Sequence, residues 1–133
     1  MISKIRISIL PVTEEPIPRR RLVQERGELA LLEDGACFRH LGYWSLHPDT
    51  EFFRGGHYHQ NKTEEFYLVA GRLRANVVDL DTSERAEFLL EAGQRMTIEP
   101  RCAHRFQAEQ EAQVIEYYDG VYDREDDHPF DGF

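Results

Sequence analysis

At 133 residues the chain is sized for one domain, and a compact fold of that length buries about two thirds of its unfolded surface. Hydrophobic residues at 41% and charged residues at 31% are too apolar a mixture for a disordered chain, while the formal net charge of −9 repels phosphate backbones. The one dense basic run, Arg19-Arg20-Arg21, is short, and no stretch approaches the ~20 apolar residues of a membrane helix, so neither nucleic acid nor a bilayer is an expected partner.

Near the N-terminus, Ile5, Ile7 and Ile9 alternate with Lys4, Arg6 and Ser8, which predicts a strand ending at Pro11. Such a segment lacks the apolar core of a signal peptide, and a cytosolic protein is expected. A first strand this regular either closes the sheet or pairs across a twofold axis with a second copy, and a homodimer is expected.

Further strands are predicted over 22–32, 37–46 and 52–59, broken by Glu33-Asp34-Gly35 and His47-Pro48-Asp49-Thr50. The branched and aromatic run 65–70 and the segment 72–80 follow, separated by Gly71. Then come 86–90, 96–98, 104–108 and 112–118, with Asp81-Thr82-Ser83 as a hairpin turn. No segment reads as a helix, so the fold class is all-β, one domain over 1–133 with its core at about 22–118. The tail 119–133 turns acidic and turn-prone, predicting a wrap or a frayed end in which His128 is solvated. Cys37 and Cys102 form no Cys-x-x-Cys, so reduced thiols are expected rather than a disulfide framework or thiolate metal site.

The most informative stretch is Gly55-Gly-His-Tyr-His-Gln-Asn-Lys-Thr-Glu-Glu-Phe-Tyr-Leu-Val-Ala-Gly71. Side chains alternate along a strand, so His57 and His59 project to one face and Tyr58 to the other. The polar residues 60–63 suit a tight connection that brings Glu64 back beside the histidines. Imidazole nitrogen with carboxylate oxygen suits Fe, Mn, Ni, Co or Zn, and leaves coordination positions open for water or substrate. Downstream, Gly93 to Phe106 reads as a turn, a short strand, a proline bend at Pro100 and a strand opening at His104, which makes a further nitrogen ligand available.

These two segments resemble the paired signature of the cupin superfamily, small antiparallel barrels of double-stranded β-helix or jelly-roll type. The first cupin motif has a glycine, two histidines one residue apart, a glutamate and a later glycine, matched by His57, His59, Glu64 and Gly71. The second runs from a glycine to a histidine, matched by Gly93 and His104, although Glu99 replaces its first proline and Arg101 its glycine. The resemblance implies that His57, His59, Glu64 and His104 hold one divalent transition metal, with Glu65 excluded by its opposite strand parity. Glu25-Arg-Gly-Glu-Leu29 and Arg54-Gly-Gly-His-Tyr-His59 are similar to sugar-nucleotide ketoisomerase and epimerase relatives, and Glu116 to Asp127 is similar to the ending of metal-dependent cupin phosphomannose isomerases. Ketoisomerases of that group typically carry glutamine where Glu64 stands and work without metal, so Glu64 points to a metal here.

The expected function is therefore a metal-dependent enzyme on a small carbonyl-bearing or sugar-like molecule, of isomerase or epimerase type. An iron-dependent dioxygenase and a non-catalytic small-molecule-binding barrel are the alternatives. Candidate proton-transfer groups are Tyr67, Glu116 and Tyr118. Candidate substrate contacts are Arg74 by interior parity, His40 on the preceding strand, and Cys102, two residues before His104.

Overall fold

The computed structural model describes residues 2–49 and 51–133; Thr50 of the predicted turn lies outside them. In chain order the strands are β1 (Ile5–Ile9), β2 (Arg20–Gln24), β3 (Gly27–Leu31), β4 (His40–Leu46), β5 (Arg54–Tyr58), β6 (Glu64–Asp79), β7 (Arg85–Glu91), β8 (Gln94–Ile98), β9 (Cys102–Tyr118) and β10 (His128–Pro129), with a single 3₁₀ turn at Arg124–Asp126.

Two long strands organise the barrel. β6 and β9 run antiparallel along nearly their whole length, from Glu65↔Tyr117 to Asp79↔Cys102. The first part of β6 also pairs with β8, and its second part with β7. Likewise β9 pairs with β5 through its first part and with β4 through its second. Bent strands shared in this way divide the sheet into two leaves, β1-β8-β6-β9-β4 and β7-β6-β9-β5-β10, closing an all-β double-stranded β-helix. Between the leaves lies the core, with Phe66, Leu68, Met96, Ile98 and Val114 from one and Leu73, Ala75, Val77, Leu90 and Phe106 from the other.

Three boundaries differ from those expected. The segment 22–32 is a hairpin, β2 with β3, because Glu25-Arg26 form a turn completed by Gly27 at φ 131°. The pairs 65–70 with 72–80 and 104–108 with 112–118 are each one strand, because the chain bulges at Gly71 without leaving the sheet. Gly71 has φ 93°, and a Cβ there would collide with the carbonyl oxygen of Glu111 on β9. The backbone thus needs glycine for both its conformation and its close approach.

The tail is a wrap. Its 3₁₀ turn buries Asp126, and β10 adds to β5 through His128↔Tyr58 and Pro129↔His57. His128 is half-buried and stacks on Tyr58, with ring centroids 5.0 Å apart, so it is not the solvated group expected. Among the described residues, no helix is long and apolar enough to cross a membrane.

Replacing Gly71 with alanine should destabilise the protein by about 2–4 kcal/mol, combining a left-handed backbone with a main-chain clash. Gly35→Ala, at φ 83° with nothing within 4 Å of the added carbon, should cost only about 1 kcal/mol. Urea denaturation of both variants checks the difference; equal losses would show that the bulge tolerates a side chain.

Candidate metal centre

Each leaf contributes to one cluster. His57 lies near the end of β5, His59 just beyond it, His104 near the start of β9, and Glu64 opens β6 on the facing leaf. A bulge between Gly55 and His57 re-aims β5. Gly55, at φ 83°, lets that strand press on β9, since a Cβ there would stand 2.7 Å from the His104 carbonyl oxygen.

One ligand atom from each of His57, His59, Glu64 and His104 lies within 4.8 Å of the others. Glu64 Oε1 is 3.1 Å from His59 Nε2 and 3.3 Å from His104 Nε2. None of these three buried atoms has an aligned hydrogen-bond partner. Their ring tautomers follow from the other nitrogens. His59 Nδ1–H donates to the Asp126 carbonyl at 2.6 Å, and His104 Nδ1–H to the Cys102 carbonyl at 3.0 Å. A carbonyl only accepts, so in each neutral ring the proton sits on Nδ1 and the Nε2 lone pair is directed to the cluster. His57 Nδ1 is 2.8 Å from Asp127 Oδ1, leaving Nε2 as its remaining donor. Three anchored imidazoles converging with one carboxylate fit a divalent transition ion in donor type, burial and outer hydrogen bonding.

The electrostatics agree. Burial alone would raise the Glu64 carboxyl, but the close approach of His104 and His59 holds it well below the usual range. For His59, burial lowers basicity and Glu64 more than restores it, giving a net upward shift. His57 is pushed down to about 4, first by burial and then by the charges of His104 and His59. A proton therefore does not compete for His57 at neutral pH.

The cluster forms one end of a cavity of about 400 Å³, whose walls include His40, Trp44, Lys62, Phe106, Glu116 and Tyr118. Lys62 Nζ lies 4.0 Å above the Tyr118 ring and 3.9 Å from Glu64 Oε2.

A protein-family model described as the polysaccharide biosynthesis C-terminal domain matches residues 38–130. The chain belongs to this family. No curated protein matches it in sequence. Among solved structures it is similar to a variant of the 3,4-ketoisomerase QdtA from Thermoanaerobacterium thermosaccharolyticum in complex with TDP-4-keto-6-deoxyglucose, at 14% identity and TM-score 0.76, over 95% of this chain and 87% of that one. It is also similar to the TDP-quinovose 3,4-ketoisomerase WlaRB from Campylobacter jejuni, at 18% identity and TM-score 0.75, over 96% and 93%. A third is the dTDP-6-deoxy-D-glucose-3,5-epimerase RmlC from Legionella pneumophila in complex with dTDP-4-keto-L-rhamnose, at 17% and 0.73, over 95% and 72%. At these identities the likeness shows the fold, the cupin barrel that the two motifs imply.

Of the other expected site residues, His40, Glu116 and Tyr118 line the cavity. Tyr67, Arg74 and Cys102 do not. Tyr67 is on the opposite face of β6 from Glu64 and Phe66, buried with its hydroxyl toward Glu28 of the β2–β3 hairpin. Arg74 is turned outward to Glu109 and Glu87, because the bulge at Gly71 reverses parity and sends Leu73, Ala75 and Val77 inward instead. Cys102 shares the inward parity of His104 but packs in the core, its thiol pushed up to about 12 by burial and then by Asp79. Glu65 accepts a hydrogen bond from Thr97 Oγ1 at 2.6 Å, away from the histidines.

Sequence reasoning missed Lys62 and the tail pair Asp126 and Asp127. Asp126 accepts from the backbone N–H groups of Gln60 at 2.8 Å and Asn61 at 3.2 Å, fixing the loop that joins His59 to Glu64. Adjacent acids at the end of a tail carry no spacing that announces such a role.

Asp126→Ala should lose about 1–3 kcal/mol of stability and weaken metal binding about 10–100-fold, measured by denaturation and by competition with a chromogenic chelator. Burial would raise the Asp126 carboxyl, yet those amide bonds hold it below the ordinary value. Its contribution is therefore present above the unfolded value near ~3.9 and lost as pH falls through the lower folded one, so the wild-type advantage should be flat from about pH 5 to 8 and shrink below about pH 4. An advantage that instead declined near neutrality would contradict this assignment.

Proposed function

We propose that the chain is a metal-dependent enzyme that isomerises or epimerises a sugar derivative at a carbon beside a carbonyl. The observation that carries this reading is the convergence of three unpartnered buried atoms, His59 Nε2, Glu64 Oε1 and His104 Nε2, at the end of a sugar-sized cavity. Three nitrogens and one carboxylate suit Mn, Fe, Co, Ni or Zn, and the ion supplies Lewis acidity toward a substrate carbonyl oxygen. Lys62 places a positive charge next to the cluster, where negative charge would build on that oxygen. Trp44 and Phe106 offer apolar walls to a ring. The ligands in the QdtA and RmlC complexes, both 4-keto sugar nucleotides, support TDP-4-keto-6-deoxyglucose as the first probe.

A second reading has an observation of its own. His57 Nδ1 held at 2.8 Å by Asp127 is a geometry that would make its Nε2 a general base for the same chemistry without metal.

Protein purified without chelators should hold about one equivalent of a divalent transition ion per chain. Reloading apo-protein at a thousandfold excess over Kd should add about 4 kcal/mol of stability. Glu64→Gln should lose most of that ion while remaining folded. Protein that refuses every ion would overturn the metal reading in favour of the His57–Asp127 pair, and iron with substrate-dependent oxygen uptake would favour a dioxygenase.

The homodimer remains our proposal as well. β1 pairs with β8, and Ile9 of β1, Val12 beyond it and Val23 of β2, which Val12 reaches through its bridge to Arg21, present exposed apolar side chains. Light scattering should report a dimer, converted to monomer by Val12→Asp with Val23→Asp; a wild-type monomer would refute it.

A further inference from the structure

The buried side-chain atoms without hydrogen-bond partners are not confined to the metal ligands. His40 Nε2 and Tyr118 Oη are two more, and both residues line the same cavity as His59, Glu64 and His104. Neither atom has an aligned hydrogen bond, His40 Nε2 having only the approach of Glu116, and a bound polar ligand would relieve that desolvation cost. They cluster on the wall formed by β4 and β9, where His40 stands opposite Tyr118 and Gly42 opposite Glu116.

This wall is built around one pair. His40 Nε2 is 3.3 Å from Glu116 Oε2, with both side chains about a quarter exposed to the cavity. The His40 ring stacks on Tyr118, centroids 4.2 Å apart at 8°, which fixes its plane. Gly42 lies beneath them, and a Cβ there would come within 3.1 Å of both Glu116 Cγ and His40 Nε2. A side chain there would press on both by a few tenths of an ångström, so the glycine leaves room for the imidazole and the carboxylate to meet. Lys62, between the Tyr118 ring and Glu64, connects this wall to the metal end.

We infer that Glu116, positioned by His40, takes and returns the proton at the carbon next to the substrate's carbonyl; this rests on the keto-sugar reading above. The Glu116 carboxylate accepts the proton, the C–H bond pair becomes the C=C bond of an enolate, and the carbonyl π pair moves to oxygen. The proton on Glu116 exchanges with solvent, and delivery of a solvent-derived proton to the enolate re-forms a C–H bond and a carbonyl, so electrons and atoms balance with no co-reactant. His57, His59, Glu64 and His104 would hold an ion supplying Lewis acidity toward that oxygen, while the wall of His40 and Glu116 handles carbon-bound hydrogen.

Deuterium exchange tests this without requiring complete turnover. Metal-loaded wild type incubated with TDP-4-keto-6-deoxyglucose in D₂O should label the sugar faster than buffer, as read by mass spectrometry. Glu116→Gln should slow labelling by about 100-fold or more while metal content and affinity for TDP stay unchanged. Added formate should restore labelling to Glu116→Ala, a response that a structural role would not give. His40→Gln should lower the maximal labelling rate at unchanged half-saturating substrate, and Gly42→Ala should do the same by parting the pair. Undiminished labelling by both Glu116 variants would overturn the assignment and leave the keto-sugar reading standing. Wild type that labels no faster than buffer would sink both.

Discussion

A carboxylate buried between two histidines is the constraint to which the rest of this barrel answers. Glu64 is 4% exposed and projects from one leaf toward His59 and His104. An ion in that position costs several kcal/mol to dehydrate unless opposite charge and hydrogen bonds compensate. Either a metal or an imidazolium meets the need, and in both cases the compensation depends on ring placement to a few tenths of an ångström. The bulge at Gly55, the carbonyl anchors on His59 and His104, and the fixed loop at 60–61 all serve that placement. Because the ligands come from both leaves, an ion held there also pins the sandwich at its open end, linking binding to stability.

The acidic tail is part of the same device. Its Asp126 supplies a carbonyl to His59 and a carboxylate to the following loop, and its Asp127 supplies a carboxylate to His57. The tail reaches these positions because β10 pairs with β5, Phe130 N–H donates to the Gly56 carbonyl at 2.8 Å, and Phe133 packs 5.0 Å from the Arg105 guanidinium. Acidic residues there thus orient histidines rather than facing solvent. Loss of the tail would loosen two histidines at once.

Much of this was legible from residues 57–104 because a strand's period of two converts spacing directly into facing. His57, His59, Glu64 and His104 come together as that period requires, and His40, Glu116 and Tyr118 reach the cavity from adjacent strands. Parity failed where the register slipped. Interior parity puts Arg74 inside, but the bulge at Gly71 reverses every face beyond it. Tyr67 and Cys102 show the other limit, since alternation tells which face a residue takes but not what covers that face or how deep it lies. The tail's anchoring was hidden for a different reason: it depends on tertiary pairing that local sequence does not encode.

The roles of the two ends of the cavity follow from how many lone pairs are available. Once Nδ1 of His57 is engaged by Asp127, the ring has only Nε2 left, and that atom either ligates an ion or accepts a substrate proton. It cannot do both in one turnover. If the ion is bound, the histidines of the first motif are withdrawn from acid–base work, and proton transfer must come from groups outside the cluster. His40 and Glu116 meet that requirement: they line the same cavity, neither belongs to the ligand set, and Gly42 leaves room for their contact. A barrel with Glu64 at its centre therefore needs a second polar wall in a way that a metal-free barrel using His57 as base does not.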